Sequence, residues 1–352
     1  MRRGLARLTF IDLFLWGFRL LVILLVLYGT AGTLRAGRYS AEQWFDFVIF
    51  GLAQGGIYAL IALGYTMVYG ILRMINFAHG EVFMSGAFTA YFLAIWLGAA
   101  GVLDRRPLVG LALVLALAVA VSTAVALLVE RVAYRPLRRA PRLVPLITAI
   151  GASFFLQYTF RGLYGAGIKA YPEIALFVGE VGVGGFTILR TQVVVLVTAA
   201  MMMVALYLFV MRTRTGKAMR AVAEDKDTAA LMGIDVDRII VVTFALGGAA
   251  AGVAGILYAL VFKQVHFFMG FIPGIKAFTA AVLGGIGNIP GAMLGGMFLG
   301  VVESVGPALF LDGLGIVAPY QLKDVIAFTM LVMVLIFRPS GILGERLAGK
   351  RA

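Results

Sequence analysis

Cysteine is absent from the 352 residues, and histidine occurs only at His79 and His266. The first absence excludes disulfides, thiolate catalysis, iron–sulfur clusters and Cys-ligated zinc. The second excludes a multi-histidine metal centre, so no metal and no cofactor is expected. Charge is also scarce: Asp, Glu, Lys and Arg make up 13% of the chain, roughly half the share in a soluble domain. A soluble protein of this length needs a charged surface, and this chain cannot supply one. With 62% hydrophobic residues and a mean hydropathy of +1.00, lipid takes the place of water around most of it. No strand-like alternation runs long enough for a barrel. The expected fold class is therefore all-α, a polytopic membrane protein with about eight or nine transmembrane helices, one of them broken or re-entrant. The net charge of +13 does not point to nucleic acid, because the basic residues sit in short gaps between apolar runs.

The apolar runs place spans near 11–33, 45–72, 81–103, 108–129, 143–164, 191–211, 239–262 and 321–337. Between the last two lies 275–306, apolar but broken by GGIGNIPG at 284–291. Arg2, Arg3 and Arg7 precede the first span. Arg131, Arg135, Arg138, Arg139 and Arg142 fill one gap, and Arg212, Arg214, Lys217, Arg220, Lys226 and Arg238 another. Arg338, Arg346, Lys350 and Arg351 occupy the tail. Alternating spans put all four groups on one side, which the positive-inside rule assigns to the cytoplasm. The tail reaches that side only if 275–306 begins and ends on the outer face, as a re-entrant hairpin or broken helix does. Arg105 and Arg106 then fall outside, against the rule. The first span reads as a signal peptide or, in preference, as an uncleaved helix, with Arg19 snorkelling to the interface. The expected organisation is an extra N-terminal span and linker over 1–43, a main membrane body over 44–345 containing a cytoplasmic loop at 212–238, and a cytoplasmic tail over 346–352.

That loop, RTRTGKAMRAVAEDKDTAALMGIDVDR, reads as a helix with Thr215 as N-cap and Gly233 beyond its C-terminus. Ala218, Val222, Ala229 and Met232 fall on one stripe, interrupted by Asp225. Arg220 and Glu224 are spaced to pair. Such a helix lies on lipid headgroups or docks into a partner's groove. The cluster Glu224, Asp225 and Asp227 weighs against an anionic lipid surface.

Breaks in membrane segments, RMINFAHGE at 73–81 and GGIGNIPG at 284–291, are either loops at the membrane edge or pointers to a substrate path. Glycines repeat at intervals of four, at Gly287, Gly291 and Gly295, at Gly296 and Gly300, at Gly248 and Gly252, and at Gly51 and Gly55, as close helix packing requires. Glu303 is a carboxylate within an apolar run and the one strong ionisable candidate inside a span; it is functional or sits capped by water at the outer interface. Gln54 and Gln157 are expected to bond between helices. Asn76, His79, Asn288 and Glu303 are the candidate lining of a path, although for His79 loop capping is the preferred reading. The sequence carries no P-loop, G-x-S-x-G or H-E-x-x-H motif, so an enzyme is not expected.

Several stretches together resemble one family. GLAQGGIYALIALGYTMVYGILRMINFAHGEVFMSGAF (51–88), ERVAYRPLR (130–138), RAVAEDKDTAALMGID (220–235), KAFTAAVLGGIGNIPGAMLGG (276–296) and FRPSGILG (337–344) are similar to the branched-chain amino acid permeases, the LivH type of ABC importer. The resemblance implies a transport permease of an ATP-driven importer for branched-chain or related small amino acids in the inner membrane. It also implies the partners: a second related permease, two cytoplasmic ATP-binding subunits, and a periplasmic or lipid-anchored solute-binding protein. On this resemblance Arg220, Ala223, Glu224, Asp225, Ala230 and Gly233 belong to the ATPase-coupling loop. The alternative is an ion-coupled secondary transporter, for which Glu303 is the thin support.

Overall fold

In the computed structural model, residues 10–343 are described, except Arg139, Arg142 and Pro339. Arg2, Arg3, Arg7, Arg346, Lys350, Arg351 and the tail 346–352 lie outside the described residues. The helices are α1 (Phe10–Ala36), α2 (Ala41–Leu72), α3 (His79–Ala99), the short α4 (Val102–Arg105), α5 (Pro107–Val129) and α6 (Leu143–Tyr164). They continue with α7 (Arg190–Arg212), α8 (Arg214–Glu224), α9 (Lys226–Leu231), α10 (Val236–Phe262), α11 (Phe271–Gly284), α12 (Ile289–Gly306) and α13 (Lys323–Phe337). Among the described residues nine helices are long and apolar enough to cross a membrane. The protein is an all-α, multi-pass membrane protein.

Four short strands complete it: β1 (Lys169–Ala170) pairs antiparallel with β4 (Gln264–Val265), and β2 (Glu180–Val183) forms a hairpin with β3 (Phe186–Leu189). All four lie at one end of the bundle, here the hairpin face. At that end Arg38 bonds to Asp312 and Phe45 stacks on Phe186. The opposite end carries Arg73, Arg135, Arg138 and the α8–α9 segment, and is here the basic face. There Tyr134 donates to the carbonyl of Ile75, and Arg135 reaches Asp237. Contacts between loops thus stay within one face or the other, as alternating spans require. Arg105 and Arg106 emerge on the hairpin face.

Two elements depart from regular spans. The segment expected over 275–306 starts earlier, at Phe271, and is two helices. The 14 residues of α11 reach only about 21 Å, short of the ~30 Å hydrocarbon core. Its turn into α12 lies on the basic face, where the amides of Ile342 and Leu343 donate to the carbonyls of Leu283 and Gly284. Gly285 and Gly287 take positive φ there, 102° and 98°. The second departure is α3, whose first residue, His79, sits on Gly64 of α2. Gly64 is eight residues, or roughly 12 Å, above the end of α2. The chain at 73–78 therefore turns back into the membrane before α3 begins.

The core is built on α2, which is buried from Ala53 to Val68. Apolar burial cannot drive helix association in lipid, so packing relies on close backbone approach and polar contacts. Gly51 and Gly55 meet Gly300 and Gly296 across the α2–α12 contact, Gly248 and Gly252 of α10 lie on α5, and Gly295 lies on Ala280. Gly287 is not part of this packing; it has open space around it and serves the turn. On the outside, α1 docks through Gly29 and Gly32 onto the backbone at Phe310 and Gly313, and Thr33 donates to the carbonyl of Ala308.

Candidate translocation pathway and docking face

A cavity of about 460 Å³ opens on the hairpin face. Asp46 and Phe50 on α2, Glu180 and Thr187 on the hairpin, and Tyr320 before α13 form its walls, and Gln54 and Glu303 lie in its floor. The floor is a buried polar cluster. Glu303, 1% exposed, accepts from Gln54 Nε2 at 3.0 Å and from Lys276 Nζ at 2.5 Å. The same ammonium lies 2.6 Å from Asp324 and 5.8 Å from the centre of the Tyr58 ring. One lysine of α11 thus ties α12 to α13. Gln54 adds α2, through Glu303 and through the Tyr58 hydroxyl at 2.5 Å. A buried charge needs a partner and hydrogen bonds; Lys276 supplies the counter-charge, and it and Gln54 bond Oε1, while Oε2 is buried without a partner among the described residues.

Glu303 therefore lines a cavity, but it is not the sole buried ionisable group. Lys276 and Glu81 are buried in the membrane part as well. Sequence reading passed over both, since each stands at the very start of its expected apolar segment, 81–103 and 275–306, where a charge reads as interfacial. Gln157 bonds between helices, donating from α6 to Glu81 of α3 at 2.7 Å.

The other three candidates for the path lie apart from this cavity. Asn76 is buried in the turn between α2 and α3, where its side-chain oxygen accepts from the Tyr134 hydroxyl at 3.3 Å. His79 is buried against Gly64 with its ring 5.0 Å from that of Tyr65. Asn288 is on the basic face and caps α12: its oxygen accepts from the Gly291 amide at 3.0 Å while its nitrogen donates to Leu343. Asn76 and His79 thus stand on one turn, while Asn288 and Glu303 stand near opposite ends of α12.

On the basic face the segment expected as one helix is two. Thr213, rather than Thr215, caps α8, accepting from the Gly216 amide at 3.0 Å, because helical backbone begins directly after α7. Asp225 takes extended backbone and caps α9, accepting from the amides of Asp227 and Thr228. Bonds from the amide and hydroxyl of Thr228, then from the Asp227 amide, hold its carboxyl below the usual range. The break explains why Asp225 interrupts the apolar stripe. The buried positions are Met219, Val222 and Ala229, whereas Met232 is 79% exposed and Leu231 88%. Arg220 does not pair with Glu224; it reaches back to the carbonyl of Met211. Gly233 closes α9 with φ +82°, its amide bonding to Ala230.

The segment is joined to the bundle at specific points. Arg73, left-handed at the end of α2 with φ 57°, donates to the carbonyl of Ala223 at 3.0 Å. Beside the segment, Arg138 of the α5–α6 connection bridges the buried Glu130 to Asp237 at the start of α10. Lys226 is half-buried, and desolvation, then Arg138 and Arg73, lowers its pKa. The segment is thus bonded to the end of α2 and leads through 232–235 into α10.

Residues 47–335 match the family of branched-chain amino acid transport system permease components. The chain is 48% identical over 301 residues to the high-affinity branched-chain amino acid transport system permease protein BraD of Pseudomonas aeruginosa, covering 85% of this chain and 95% of that one. It is 43% identical over 312 residues to the corresponding LivH protein of Escherichia coli K12, covering 87% and 96%. A probable LivH permease of Methanocaldococcus jannaschii is 29% identical over 296 residues, covering 81% and 88%. No solved structure matches the chain.

Proposed function

The chain belongs to the branched-chain amino acid transport permease family, and on that premise we propose that it is the membrane subunit of an ATP-driven importer of branched-chain or related small amino acids. The single observation that carries this reading is α8–α9: a capped pair of helices on the basic face, exposing Leu231 and Met232 and bonded through Ala223 to the end of α2. Two adjacent large apolar side chains exposed on that face form a patch for a partner to cover. A cytoplasmic ATPase with a matching groove covers them.

The basic face is then cytoplasmic, as the positive-inside rule requires, and the protein resides in the inner membrane with its C-terminus inside. Two ATP-binding subunits dock there, among them one at Ala223, Glu224, Asp225, Ala230 and Gly233. A second, related permease completes the pathway. A periplasmic or lipid-anchored binding protein delivers solute to the cavity on the hairpin face. ATP binding draws the ATPases together and pushes α8–α9. The Arg73–Ala223 bond passes the push to α2, and the helix-end contacts pass it to α10, switching access from one face to the other. The chemistry of ATP hydrolysis belongs to the partner; this chain supplies passage.

Replacing Leu231 and Met232 together with Asp tests the reading, since both are exposed and the fold does not depend on them. Loss of ATPase co-purification and of uptake, with normal permease levels in the membrane, is the expected result. Normal complex formation with normal uptake overturns it.

A further inference from the structure

Three carboxylates are buried among the described residues, Glu81, Glu130 and Glu303. Glu130 has Arg138 and Glu303 has Lys276. Glu81 has no cation within 4 Å among the described residues. Its Oε1 accepts from Gln157 at 2.7 Å and Ser153 at 3.3 Å, and its Oε2 is buried with no partner. An ionised carboxylate placed in low dielectric needs a counter-charge.

Glu81 borders a cavity of about 260 Å³ between α3, α6 and α11. Tyr65, Phe77, Ile150, Phe271 and Ile275 form its largely apolar wall. Two unwound stretches meet there. The first is 73–78; the second is the chain leading from β4 to Gly270, a break not apparent from the sequence. Gly80 and Gly270 touch so closely that a Cβ on either overlaps the other's carbonyl, and Gly274 closes the same contact. The helix α11 starts at this cavity without a side-chain cap, so the positive end of its dipole faces the space. The depth is that of Gly64, well inside the membrane.

We propose that this cavity is a waystation for an amino-acid zwitterion with an apolar side chain: Glu81 Oε2 accepts from the ammonium, the start of α11 faces the carboxylate, and the aromatic and aliphatic wall takes the side chain. This rests on the importer reading and adds to it a site within the chain itself. The cavity on the hairpin face is a poorer candidate, because its buried carboxylate is already neutralised by Lys276.

The absence of cysteine permits a direct test. Ile275→Cys places a single thiol on the cavity wall, in the assembled transporter in proteoliposomes. Its reaction with N-ethylmaleimide is read on this chain by mass, alongside ATP-dependent leucine uptake. L-Leucine is expected to slow the reaction at least fivefold. 4-Methylpentanoate, which lacks the ammonium, leaves the rate unchanged. Glu81→Gln abolishes the protection in a complex that still assembles; if that variant does not assemble, the comparison of the two ligands decides alone. Uptake without protection, equal protection by both ligands, or a thiol that never reacts overturns the site and leaves the importer reading intact. Absence of ATP-driven uptake of every amino acid overturns the importer reading, and the site with it.

Discussion

Replacing Lys276 should cost far more than neutralising its partner Glu303, although the two form one ion pair. The side chain of Lys276 is 4% exposed and that of Glu303 is 1%. Lys276→Met leaves Glu303 ionised in the interior with only Gln54 to bond to it, a loss of about 3–5 kcal/mol. Glu303→Gln is milder. Lys276 keeps Asp324 at 2.6 Å, whose side chain is 41% exposed and so remains hydrated, and the new amide still accepts from Gln54. That loss is about 1–2 kcal/mol. Lys276→Met combined with Glu303→Leu removes both charges and should recover most of what the lysine replacement alone loses, leaving the double variant about 2 kcal/mol or more above Lys276→Met in stability. The assay is unfolding of the purified permease by SDS in mixed micelles, followed by the fluorescence of its three tryptophans. Equal losses for the two single variants, or a double variant no more stable than Lys276→Met, would refute the reasoning, since either result means that the pair is hydrated rather than buried.

Gly296→Ile should abolish folded protein, because a Cβ there would lie 2.5 Å from the backbone of Ala59. Gly151→Ala, with open space around it, should be neutral or stabilising by up to about 1 kcal/mol; size-exclusion profiles of the two distinguish packing from composition. Ser40→Ala breaks the capping box with Gln43 at the start of α2 and should cost about 1 kcal/mol in the same SDS titration. Arg73→Ala removes the bond to Ala223 and should leave ATPase binding intact while lowering leucine transported per ATP hydrolysed; an unchanged ratio places the mechanical link elsewhere.

The long apolar runs made the spans legible because a helix must cross about 30 Å without unpaired backbone. Span ends were read within a few residues, from Ala41 where 45 was expected to His79 where 81 was. The glycines spaced by four pack helices, except Gly287, which local spacing could not distinguish from a turn. The α8–α9 element was legible as amphipathic, but its break was not. Only the extended backbone at Asp225 shows that this residue begins a second helix, and that exposes Met232 instead of burying it. Of the residues proposed for a path, Glu303 lines a cavity. Asn76, His79 and Asn288 stand at turns: Asn288 caps α12, Asn76 accepts from Tyr134, and His79 Nε2 is buried without a partner among the described residues.

Composition and periodicity by themselves settled that the chain lives in lipid and where along it the apolar runs and basic loops fall, because these follow from the local cost of burying backbone and charge; the number of spans, expected as about eight or nine, needed the structure, which has nine helices long and apolar enough among the described residues. Which buried charges neutralise one another was settled only by tertiary structure. Lys276 meets Glu303 from 27 residues away and Asp324 from another helix, while Glu81 meets no cation at all among the described residues. Such pairings depend on how helices distant in sequence cross, and a one-dimensional pattern of apolar and polar residues carries no record of that.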